Sequence, residues 1–147
     1  MKRVRWLVIV ASCLIGACGS VTEPSRPGVE FMITGQNQTP DASPTVPLTA
    51  NASSAQRTLV IMGRIRTATP CWDLKQEVTR LANAINVTIV AGERAGVCSQ
   101  VLLTRDYTLR INALAPGIYV LHVAHEYVAQ DGRTWREAVL EKDIRVE

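Results

Sequence analysis

His122, His125 and Glu126 lie in one short run, His122-Val123-Ala124-His125-Glu126, the densest grouping in the chain of side chains able to bind a metal or move a proton. On a helix such spacing resembles the zinc-binding H-E-x-x-H pattern. This run is instead rich in β-formers, and in a strand successive side chains point to opposite faces. His122 and His125 then part company, while His122 and Glu126 share a face about 13 Å apart. The spacing predicts solvated or edge histidines and no metal site. Asp73, Asp106, Asp131, Glu137, Glu141 and Asp143 are scattered among arginines without a pairing suited to acid–base work. The chain carries no nucleophile elbow, phosphate-cradling glycine loop or dinucleotide fingerprint. No catalytic residue and no cofactor are expected.

Trp72 and Trp135 are the side chains best suited to a ligand platform, because an exposed indole stacks on sugars and anchors protein interfaces. Packing competes with that role. Trp72 follows Cys71, where an indole can cover a disulfide, and Trp135 follows the Asp131-Gly132 turn.

The chain has 147 residues, enough for one domain, and a formal charge of +3. That excess is local: Lys2, Arg3 and Arg5 account for it, and the rest of the chain balances. No basic field remains to hold a phosphate backbone, so a nucleic-acid partner is not expected.

The basic start is followed by an apolar run over 6–15 and by Gly16-Ala17-Cys18-Gly19-Ser20, the layout of a secretory signal. The run is too short to cross a hydrocarbon core, which takes roughly 20 helical residues. Ile15-Gly16-Ala17-Cys18 resembles the lipobox of bacterial lipoproteins. Val10-Ala11-Ser12-Cys13 fits the same pattern but leaves an apolar region shorter than the usual 7–15 residues. The resemblance implies a signal peptide over 1–17, acylation of Cys18, and a membrane partner reached through that anchor. Gly19, where some bacteria use Asp for inner-membrane retention, leans toward the outer membrane. With Cys13 removed and Cys18 acylated, Cys71 and Cys98 remain as a pair in an oxidising compartment, and a disulfide between them is expected.

Residues 18–56 read as a linker: Pro24, Pro27, Pro40, Pro44 and Pro47 stand among many serines and threonines with few charges. Such composition buries too little to offset the entropy of ordering. Val29, Phe31 and Ile33 alternate within it, which leaves an edge strand as a second reading.

From residue 57 the texture changes to β-rich runs separated by turn signals. Leu59 and Ile61 share a face with Ile65, and a bulge or sheet switch at Gly63 is the expected device for a pattern that is unclear before it and clear after it. Ile85, Val87 and Ile89 alternate inward with Asn86 and Thr88 outward, and Tyr107, Leu109 and Ile111 repeat the alternation. Pro116 and Gly117 suit the centre of a type II turn. Asp131-Gly132, between β-rich runs over 118–128 and 134–146, is the strongest hairpin signal. Over 73–85 two readings remain open. Leu74, Val78, Leu81 and Ile85 keep a helical period, and a strand turning at Ala82-Asn83 fits as well.

Gly63-Arg64-Ile65, Tyr107-Thr108-Leu109-Arg110-Ile111 and Leu114-Ala115-Pro116-Gly117-Ile118-Tyr119-Val120-Leu121 resemble the Ig-like and transthyretin-like modules of bacterial surface proteins, including carboxypeptidase-regulatory-like domains. The resemblance implies an all-β antiparallel sandwich of about seven strands over 57–147, and it favours the strand over 73–85. It also implies a structural corner at Pro116, Gly117 and Tyr119, with the tyrosine hydroxyl reaching back to the backbone. The sequence then describes a lipid-anchored cell-envelope protein that presents a small sandwich to a glycan or an envelope protein. The alternative is an envelope enzyme or enzyme inhibitor with a loop-borne site.

Overall fold

The computed structural model describes residues 28–39 and 48–147. The expected signal peptide over 1–17, the lipobox-like run ending at Cys18, and 19–27 and 40–47 of the expected linker lie outside the described residues. Eight strands, β1 (Val29–Thr39), β2 (Ala50–Ala55), β3 (Thr58–Thr67), β4 (Trp72–Leu81), β5 (Ala84–Glu93), β6 (Leu102–Ile111), β7 (Gly117–Val128) and β8 (Thr134–Val146), build an all-β fold with no helix among the described residues. They form two four-stranded sheets, ordered β1-β6-β3-β2 and β4-β5-β7-β8.

The sandwich starts earlier than composition suggests. Val29, Phe31 and Ile33 pair with Ile111, Leu109 and Tyr107 of β6, so the alternation hidden in the proline-rich stretch is a strand. Ala50 and Ala52 of β2 are buried against β3, where small side chains fit a tightly packed edge. The 18–56 linker reading is therefore wrong for both strands, which are part of the sandwich. These two strands bring the number to eight. One pair is not antiparallel: β5 runs parallel to β7 because β6, which joins them, crosses to the other sheet.

The core is the alternation made solid. Leu59, Ile61 and Ile65, then Leu109 and Ile111, face Ile85, Val87, Ile89, Leu121 and Val123, all of them buried. Gly63 interrupts this face without any bulge, since β3 and β6 stay in register from Leu59 to Thr67. Its actual role is room. Tyr107 lies directly opposite Gly63, and a Cβ there would stand 2.2 Å from the Tyr107 hydroxyl and 2.3 Å from Cζ. The apolar pattern falters at Gly63 because the ring of its cross-strand neighbour fills that place.

The 73–85 segment is strand, as β4 and the start of β5. Its two-residue turn, Ala82-Asn83, holds Ala82 at φ 52°, a left-handed conformation that a Cβ disfavours. Replacing Ala82 with Gly is expected to raise stability by about 1 kcal/mol, read as a higher urea midpoint at unchanged slope. The Asp131-Gly132 hairpin also forms. The Gly132 N–H bonds the Ala129 carbonyl at 3.0 Å, and Gly132 takes φ 85°.

The Pro116-Gly117 turn does not form as expected. Gly117 has no positive φ and opens β7 opposite Val146; the positive φ in this connection falls on Ala113, at 59°. Thr88 faces outward as expected and is covered there, with the Arg136 guanidinium donating to its hydroxyl at 3.1 Å.

Candidate binding site at the disulfide end

Cys71 and Cys98 are joined, with Cα atoms 6.0 Å apart. Cys71 immediately precedes β4 and Cys98 lies in the loop from β5 to β6, so the bond ties both segments together at one end of the sandwich. Beside it, the Arg105 guanidinium reaches from β6 to the carbonyls of Trp72 and Pro70. Burial lowers the Arg105 pKa from its ordinary value, with the Asp73 carboxylate acting in the opposite direction.

Trp72 and Trp135 come together here, on opposite edges of one sheet. Their rings lie 5.9 Å apart at a steep angle. Between them stands Tyr127 of β7, which the sequence reading missed. Its ring stacks on Trp135 at 4.9 Å and 7°, and meets Trp72 edge-on at 6.2 Å. The signal was available: the hairpin at Asp131-Gly132 places Tyr127 directly opposite Trp135. Trp72 is 4% exposed and serves as packing, whereas Trp135 is 45% exposed. The corner thus has a buried base, a stacked middle layer and one open indole.

Tyr127 also fastens the corner. Its hydroxyl accepts from the Arg66 backbone N–H, and burial, with the Glu137 carboxylate adding to it, pushes its pKa up to about 12. It stays neutral at any physiological pH. A shallow depression lined by Glu93, Gln130 and Asp131 adjoins the same end, and Glu93 accepts from the Gln130 backbone N–H at 3.0 Å.

The histidine run splits as strand geometry requires. His122 faces outward, 3.9 Å from Glu141. His125 is a correction: it is 0% exposed in the core rather than solvated, with its Nε2 2.9 Å from the Tyr107 hydroxyl across the two sheets. Neither faces a carboxylate in a concave site. Among the described residues no group of His, Cys, Asp and Glu has the arrangement to hold a metal ion.

Burial lowers the His125 pKa to about 4, against 6.5 for an ordinary imidazole. The unfolded chain therefore takes up this proton first as pH falls. Stability is full above pH 6.5 and declines as the pH drops toward 4. Integrating the linkage gives a loss of about 2 kcal/mol between pH 7 and pH 5. His125→Gln is expected to flatten that slope in urea titrations. An unchanged slope would assign it to other groups.

Tyr119 sits at the opposite end. Its hydroxyl donates to the Ala115 carbonyl at 2.9 Å and accepts from the Arg80 guanidinium at 2.9 Å, and that guanidinium also lies over the ring, 4.9 Å from its centroid. Pro116 and Gly117 lie between the two bonded residues, Ala115 and Tyr119, without the geometry of a type II turn.

Comparisons of the chain with protein-family models, with curated proteins and with solved structures give no match.

Proposed function

We propose that this chain is a lipid-anchored protein of the bacterial cell envelope, a binding module whose contact residue is Trp135. The lipobox-like Ile15-Gly16-Ala17-Cys18 supports the anchor, at the outer membrane on the reading of Gly19. The observation that carries the binding role is the half-open indole of Trp135, held flat against Tyr127. A ring fixed in advance loses little conformational entropy when a ligand stacks on it. A sugar ring or an apolar side chain of an envelope protein fits such a surface.

A glycan array and a pull-down from solubilised membranes, each with wild type and Trp135→Ala, test the reading and separate the two ligand classes. Binding that falls at least tenfold in the variant is the expected outcome, a change of about 1.4 kcal/mol. Equal binding by both proteins removes Trp135 from the contact, and no binding in either assay removes the module's function as stated.

A further inference from the structure

Four strands lie at sheet edges, β1 and β2 in one sheet, β4 and β8 in the other. An edge carries a row of backbone N–H and C=O groups without a ladder partner, and proteins guard such rows with charges, short length or cover. Three of the four are guarded. β2 has six residues and is tied to β8: the Ser54 hydroxyl donates to the Arg145 carbonyl, and the Lys142 ammonium donates to the Ala52 carbonyl at 3.3 Å. β8 is itself densely charged, and β4 sets Asp73, Lys75 and Glu77 along its outer face with Arg80 on the inner one.

The fourth edge has none of these guards. β1 runs for 11 residues with Glu30 as its single charge, and among the described residues no strand pairs with its free side. Val29, Phe31 and Ile33 share the inner face, opposite Ile111, Leu109 and Tyr107, yet Ile33 is 44% exposed; Met32, on the outer face, is 51% exposed. The register then shifts between Ile33 and Gly35. Such a bulge interrupts regular pairing, so the free edge offers one regular stretch before it, from Val29 to Ile33.

We propose that two copies of the chain pair along this edge, antiparallel about a two-fold axis through Phe31, so that two four-stranded sheets become one continuous sheet. An unpaired backbone row takes an extended strand, and a two-fold interface must fit itself. The stretch does fit itself. In this register Val29 lies opposite the partner's Ile33, Phe31 opposite the partner's Phe31, and Glu30 opposite the partner's Met32. β-branched and aromatic pairs then meet on the inner face, no like charges stand directly opposed, and each Glu30 keeps Arg110 opposite it on its own β6. A β1 edge set against β4 or β8 of a second copy would instead place charges beside Met32 and Ile33 and leave one β1 open at the end of every assembly. Trp135 lies on β8, on the side tied to β2, and stays open in both copies.

The test scans disulfide formation in the full chain carrying Cys13→Ser and Cys18→Ser, purified and oxidised with copper phenanthroline, so that the outcome is independent of the anchor. Phe31→Cys is expected to give a dimer on non-reducing gels, since directly opposed Cα atoms stand about 4.5–5.5 Å apart, within disulfide range. Val29→Cys and Ile33→Cys should not, because each lies about 14 Å from its own copy. Phe31 packs on the core, so a second pair uses exposed positions: Glu30→Cys and Met32→Cys, co-produced with different tags, should join to each other. Adding Ile33→Lys to that pair should lower the yield at least about fivefold, as a lysine guards an edge. Equal yields at every position overturn the register and the proposal with it. No crosslink between positions 30 and 32, with a monomer in sedimentation, overturns the second copy as occupant and leaves the edge to a strand of a different protein.

Discussion

Gly63→Ala is expected to lower stability by about 4 kcal/mol, beyond the usual range for a single added methyl group, because the clash has no soft partner. The new Cβ would meet the Tyr107 ring at Cζ and its hydroxyl, not the end of a flexible side chain. That ring is held on both sides. Phe31 lies 6.0 Å from it, centroid to centroid, and its hydroxyl is bonded to His125 of the facing sheet. Moving the ring breaks a polar link that crosses the core and leaves a buried imidazole without this partner. A double-mutant cycle isolates the cause. On a Tyr107→Leu background the same Gly63→Ala change should lose less than about 1 kcal/mol. Urea unfolding of the four proteins measures it, and a Gly63→Ala variant within 1 kcal/mol of wild type would rule out the close approach as the reason for glycine.

Loss of the disulfide is the second large effect. Cys71 and Cys98 are separated by 27 positions, and closing such a loop restricts the unfolded chain by about 3.5 kcal/mol in the entropy model. The variant Cys71→Ser/Cys98→Ser should lose about that much, with native strand content at low denaturant. The loss should also be felt at the aromatic corner, because Cys71 fixes the start of β4 and so the position of Trp72 beneath Tyr127 and Trp135. Near-ultraviolet circular dichroism of the indoles reads this coupling. A double variant with wild-type stability and wild-type aromatic signals would make the bond incidental.

The reach of the sequence differed from strand to strand for physical reasons. β5 and β7 were legible because Ile85, Val87 and Ile89, and then Tyr119, Leu121 and Val123, keep a period of two on the buried face, and β8 because Asp131-Gly132 marks the reversal into it. β1 and β2 were obscured. Their polar and small residues suit sheet edges, where little area is buried, and composition alone cannot distinguish such edges from a tether. His125 was misjudged although its position was readable: Tyr119, Leu121 and Val123 share its parity, and all three are buried. A polar side chain on an apolar face was taken for an edge because its partner, Tyr107, lies in the other sheet, beyond any local spacing. Tyr127 was missed for a related reason. Pairing across a hairpin had to be counted from the turn before it showed that Trp135 has a stacking partner. The pairing of Cys71 with Cys98 followed from the cysteine count, whereas the parallel placement of β5 and β7 depends on β6 changing sheets, which no local pattern records.

The placement of this binding module at the cell envelope depends on acylation at Cys18. Metabolic labelling with radioactive palmitate, comparing wild type with Cys18→Ala, addresses it directly. Label on the wild-type protein and none on the variant is the predicted result; an unlabelled wild type, or a variant that keeps its label through Cys13, would contradict it.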